Sequence, residues 1–251
     1  MQGPAGMPAE TACLAVAVKF ANIGNTDSNV GVIFCMWKTG LIAAALTAGL
    51  AGAANAHPHV FVESRAEVVF DEAGRLSAVR HVWSFDEAFT AFAVQGLDEN
   101  GDGELSREEL QPLAQVNVES LAEYDFFTFL HQDGADIAFE PPSEYWLDFY
   151  GGRLTLFFTL PLREARVIDA SNVELDVFDP NYFVAFEMTQ DTPFAMVDAP
   201  KTCTLDFTPP PPLDPQTATT LAAIPQSERE LPPDLVQITE TLSNSARIGC
   251  K

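Results

Sequence analysis

Asp98-Glu99-Asn100-Gly101-Asp102-Gly103-Glu104-Leu105-Ser106-Arg107-Glu108-Glu109 is the stretch on which the reading of this chain turns. Asp98, Asn100, Asp102, Ser106 and Glu109 put side-chain oxygens at positions 1, 3, 5, 9 and 12, and Glu104 at position 7 offers its backbone carbonyl. Gly103 at position 6 allows the sharp turn, and Leu105 at position 8 is the apolar tie to a core. Calcium takes about six to eight hard oxygens, and this order of residues supplies them. The competing reading is an acidic turn that holds no ion.

The flanks read as helices, which makes the segment an EF-hand helix-loop-helix. Upstream, Phe85, Phe89, Phe92 and Leu97 fall near one helical face, and Ser84 with Glu87 forms a candidate capping box. Downstream, Leu110, Leu113, Val116 or Asn117, Leu121 and Tyr124 make a second face, with Ser106 as N-cap and Glu109 three residues on. The helix pair is expected over residues 84–124. Such hands usually come in pairs. No second loop is apparent, so the host domain must brace this one.

Either side of it, short apolar alternations predict strands, beginning with Val60–Phe70 and Arg75–Phe85. Strand character resumes over Tyr124–His131. Tyr145–Tyr150 and Leu154–Leu160 form a hairpin about Gly151-Gly152. Asn172–Phe178, Tyr182–Met188 and Lys201–Phe207 follow. The expected fold is α+β: a mainly antiparallel, sandwich-like β domain (57–83 and 125–207) with the helix pair inserted. Residues 208–251 read as a Pro-rich linker and a tail helix, with Leu235, Ile238, Leu242 and Ala246 on one face.

Formal net charge is −23, from 36 acidic and 13 basic residues, while 47% of residues are hydrophobic. The chain is therefore foldable, yet unsuited to nucleic acid or to direct binding of anionic lipid. It suits cations.

Met36-Trp37-Lys38 followed by the small apolar run Gly40–Ala54 reads as a secretory signal over 36–56, ending in the cleavage site Ala54-Asn55-Ala56. Residues 1–35 then read as a spurious upstream extension; the alternative is an anchor over Val30–Ala54. Export would place the protein in oxidising surroundings. Cys203 and Cys250 are left as a candidate disulfide or two free thiols. The mature chain would begin His57-Pro58-His59. The amine and ring of His57, with His59, form a candidate nitrogen site for copper, nickel or zinc. The plainer reading is a polar lead-in to a strand. His81 and His131 complete that site only if the fold brings them near.

His57-Pro58-His59-Val60, Trp83-Ser84-Phe85-Asp86, the loop 98–109, Tyr124-Asp125-Phe126-Phe127-Thr128 and Phe178-Asp179-Pro180 with Tyr182 together resemble the DUF1007 family over about residues 57–207. Its members are often labelled periplasmic components of an ABC-type transport system, with genes beside nickel, cobalt or zinc permeases. The resemblance implies metal handling and a membrane permease as partner. An adaptor that binds a membrane partner without carrying metal is the alternative. No nucleophile-base pair stands in a recognisable motif, so an enzyme is not expected; a copper-redox role at His57 is the one enzymatic alternative.

Overall fold

The computed structural model describes residues 58–168, 173–224 and 231–251. It is an α+β fold with two sheets. The first is six-stranded. It contains β1 (Val60–Phe70), β2 (Leu76–Phe85), β5 (Tyr145–Tyr150), β6 (Arg153–Arg166), β8 (Val184–Met188) and β9 (Phe194–Val197). Its order is β5-β6-β2-β1-β8, and β9 also pairs with β1. The second is five-stranded and built from β3 (Thr128–Gln132), β4 (Ala135–Asp136), β7 (Val173–Val177), β10 (Cys203–Thr208) and β11 (Asn244–Cys250), in the order β10-β11-β7-β3-β4. The helices are α1 (Glu87–Ala93), α2 (Arg107–Leu121), α3 (Pro215–Ala222) and α4 (Pro233–Glu240).

Alternation sets the inner faces. In β1, Val62, Ser64, Ala66, Val68 and Phe70 point inward; in β6, Leu154, Leu156, Phe158, Leu160 and Leu162 do. That face of the first sheet is covered in two parts. At one end Ala66, Val68, Leu76, Val79 and Leu162 join Leu130, Leu175, Val177, Ala246 and Ile248 of the second sheet in a single core. At the other end Val62, Trp83, Phe85, Leu154 and Leu156 pack with Leu110, Leu113, Val118 and Leu121 of α2. Burying each such leucine contributes about 1.5–3 kcal/mol, so α2 is held by its apolar stripe rather than by local propensity. The helix pair is thus half of the cover over the first sheet.

One expectation is refined and three are corrected. The strand pairings are mainly antiparallel, but the first sheet is mixed, because β1 pairs in parallel with β8 and β9. Alternation gives a strand's faces and not its direction. Tyr124–Phe127 is not strand: Ala122–Phe127 forms a 3-10 turn in which Asp125, Phe126 and Phe127 take φ of 50°, 54° and 48°. The strand starts at Thr128. The cap of α1 is Asp86, whose carboxylate accepts from Phe89 N at 2.8 Å, while Ser84 stays in β2 against the Thr155 hydroxyl.

Finally, residues 208–251 are not a linker with a terminal helix. The helical spacing that includes Ala246 ends at Glu240, and β11 inserts between β10 and β7. Asn244, Ala246, Ile248 and Cys250 are its buried alternate positions. Cys250 sits opposite Cys203 and is disulfide-bonded to it.

Candidate metal centre

Asp86 starts the site. One carboxylate oxygen caps α1 and the other accepts from Phe61 N at 2.9 Å, so the entering helix is tied to β1. After α1 the chain turns at Gly96 (φ 77°) into the loop. Asp98 Oδ1 accepts from Gly101 N and Asp102 N at 2.8 and 3.2 Å, and Oδ2 accepts from Gly103 N at 3.0 Å. Asn100 Oδ1 accepts from Asp102 N, and Asp102 Oδ1 from Glu104 N. Gly103 has φ of 83°, a conformation that a residue with a Cβ rarely takes. Leu105 packs against the α2 core.

Ser106 and Glu109 form the expected capping box. Glu109 also closes the loop: Oε1 lies 3.1 Å from Glu99 N and 3.4 Å from Asn100 N, while Oε2 takes Ser106 N at 3.0 Å and its hydroxyl at 2.8 Å. The Ser106 backbone and hydroxyl, chiefly, hold its carboxyl below the usual range. It therefore stays ionised at neutral pH, as a hard-cation ligand must.

The six expected calcium residues share one short loop, and the side-chain oxygens of Asp98, Asn100, Asp102, Ser106 and Glu109 are turned onto its amides. Among the described residues, no three His, Cys, Asp or Glu side chains gather as a metal cluster. Asp98 Oδ1 and both Glu109 carboxylate oxygens accept two bonds apiece, while Asp98 Oδ2 and Asp102 Oδ1 accept one and keep a second lone pair. Ion uptake thus needs side-chain rotation on a backbone already turned at Gly103. The donor set, all oxygen and largely anionic, fits calcium rather than a softer metal.

Among the described residues the histidines do not gather. His57 lies outside the described residues. His59 is half-buried, stacked on Phe183 with centroids 5.6 Å apart, and its Nε2 is shielded from solvent. Burial lowers its pKa. His81 is fully buried, stacked on Phe158 and bound to the Thr128 hydroxyl at 3.1 Å. His131 pairs with Asp136 across the β3–β4 hairpin at 2.9 Å.

Sequence reasoning missed one residue set beside the loop. Arg107 Nε and NH2 reach Asp148 Oδ1 and Oδ2 at 2.6 and 2.7 Å, and its guanidinium lies 5.2 Å from the Trp146 ring. Arg107 and Asp148 are 41 residues apart, and no local spacing signals their meeting.

Two β-sheets sharing a core, with a helix-turn-helix segment laid over one of them, define the class: a mixed α+β protein with an acidic loop between its first two helices. The chain belongs to the family described as "Protein of unknown function (DUF1007)", whose sequence model matches residues 42–250. That span takes in the C-terminal strand, beyond the residue-207 limit of the motif resemblance. The chain is also 22% identical, over 132 residues, to an uncharacterized protein of Haemophilus influenzae. The match covers 52% of this chain and 62% of the relative, so the chain spans about three fifths of the length of the curated relative it matches.

Proposed function

We propose that this is a periplasmic calcium-binding protein. Asp98, Asn100, Asp102, Ser106 and Glu109, with the Glu104 carbonyl, hold the ion on an EF-hand loop set over a sandwich-like pair of sheets. The supporting observation is the loop's own geometry. Gly103 makes the turn, Leu105 ties the loop to the core, and Glu109 is drawn back across its mouth to Glu99 and Asn100. Export through the signal at 36–56 delivers the protein to a compartment where calcium is plentiful. The wider role is in handling nickel, cobalt, zinc or copper beside a membrane permease, with His57 and His59 as the nitrogen ligands.

One observation favours a second reading for that wider role. The Nε2 of His59 is shielded and its ring lies on Phe183, which suits a structural residue better than one that passes metal on. In this second reading the protein is a calcium-stabilised adaptor for a membrane partner and carries no transported metal.

Nuclear magnetic resonance on isotope-labelled protein recovered from the periplasm separates these. Millimolar calcium is expected to move the amides of 98–109, Gly103 among the most. Nickel or zinc is then expected to perturb the His57 and His59 rings alone. Loop amides that stay put in calcium contradict the calcium site. Rings that stay put in nickel and zinc leave the adaptor.

A further inference from the structure

The β5–β6 hairpin contacts the helix-loop-helix from both ends. Thr90 Oγ1, buried on α1, accepts from Leu154 N at 3.1 Å. Arg153 donates to Phe85 O at 2.7 Å and Ser84 O at 2.9 Å, which fixes the chain just before the α1 cap, and reaches Glu63 at 2.9 Å. On the other side Arg107, the first residue of α2, forms a two-pronged pair with Asp148. The Asp148 carboxylate also accepts from Trp146 Nε1 at 3.3 Å, and the Trp146 ring stacks on Phe157 at 4.9 Å. One hairpin, residues 145–166, therefore holds the helix that enters the loop and the helix that leaves it.

We propose that this hairpin takes the place of a second hand: Arg107 and Asp148 are positioning residues that brace the calcium loop, and ion uptake is relayed through them to Trp146 on β5. The inference rests on the calcium reading. Glu109 lies two residues beyond Arg107 on the same helix. When Glu109 turns from the amides of Glu99 and Asn100 onto an ion, the first turn of α2 must adjust. Arg107 carries that adjustment into Asp148 and against the Trp146 ring. Binding and brace are linked, so whatever calcium does to the brace, the brace does to calcium affinity.

Charge and bracing predict opposite signs for one variant. Arg107 is a cation at loop position 10. If its charge were all that mattered, Arg107→Gln would tighten calcium binding. If it braces the helix, the same change loosens binding.

The test is equilibrium dialysis of calcium together with tryptophan emission, on the full chain and on Arg107→Gln, Arg107→Lys, Asp148→Asn, the Arg107→Gln/Asp148→Asn double variant and Trp146→Phe. Thermal melts without calcium check that each is folded. Wild type is expected to bind one ion and change its emission. Trp146→Phe is expected to bind calcium with that change lost. Each Arg107 or Asp148 variant should bind roughly two- to fivefold more weakly, as suits an exposed two-pronged pair. The double variant should bind no more weakly than either single one. Arg107→Lys, which keeps the charge and loses the fork, decides the matter if Asp148→Asn does not fold.

Unchanged affinity in the Arg107 and Asp148 variants, tighter binding by Arg107→Gln, or an emission change that survives in Trp146→Phe overturns the proposal. If wild type binds calcium and its emission is silent, the relay alone fails. If wild type takes up no calcium, the calcium reading fails and the relay falls with it.

Discussion

His81 shows how burial and one hydrogen bond settle a protonation state. The Thr128 hydroxyl donates to Phe126 O at 2.8 Å, so toward His81 it can only accept. The imidazole proton is thereby assigned to Nε2, and Nδ1 carries a bare lone pair with no hydrogen-bond partner among the described residues. Phe158 and Trp83 surround the ring. Burial takes its pKa from 6.5 to about 3. The folded chain thus refuses a proton that the unfolded chain accepts, and stability falls as pH drops from 6.5 toward 3, by about 1.4 kcal/mol per pH unit. His81→Leu should remove that dependence and leave Thr128 bonded to Phe126. Urea unfolding at pH 7 and pH 5 should show the variant losing about 2 kcal/mol less than wild type over that interval. An equal loss in both would show that His81 is not the group being titrated.

At the scale of elements, what was legible depended on whether the signal was local. The Ser106–Glu109 box and the Gly151-Gly152 hairpin both came through, because each is set by residues a few positions apart. The parallel β1–β8 pairing joins residues over a hundred positions apart, and alternation is blind to direction. The C-terminal segment misled for a sharper reason. Ile238, Leu242 and Ala246 fit a four-residue spacing, while Ala246, Ile248 and Cys250 fit a two-residue one. Ala246 belongs to both patterns, and pairing with β7 and β10 chose the second. The Arg107–Asp148 pair left no trace in the sequence, since neither residue is unusual where it stands.

That C-terminal strand carries its own prediction. β11 has neighbours on both edges, and the Cys203–Cys250 bond ties its end across 47 residues. Closing a loop of that length restrains the unfolded chain by about 4 kcal/mol on the entropic model. Cys203→Ser with Cys250→Ser should lower unfolding stability by a few kcal/mol, to about that limit, and chemical denaturation checks it. Deleting residues 241–251 should prevent folding of the second sheet, seen as lost strand signal in circular dichroism. A truncated chain that keeps its full strand content would contradict the central place given to β11.

At the scale of the whole molecule, a net charge of −23 bears on every cation the protein meets. Screening by any divalent ion relieves like-charge repulsion. Specific binding adds a further gain, about 1.4 kcal/mol when calcium is tenfold above its dissociation constant. Calcium should therefore raise the melting temperature about 3–5 °C beyond what equal magnesium does. Equal shifts with both ions would leave screening as the whole effect.

Calcium binding by the loop at 98–109 is tested most directly by calorimetric titration of the purified protein, beside Asp98→Asn and Glu109→Gln. Wild type should bind one calcium ion with a dissociation constant in the range of about 0.1–1 mM expected of extracellular modules. Each variant should bind roughly tenfold more weakly or worse, having lost an anionic ligand. Titration of the wild type without a binding isotherm at millimolar calcium, or an isotherm that both variants reproduce, would contradict it.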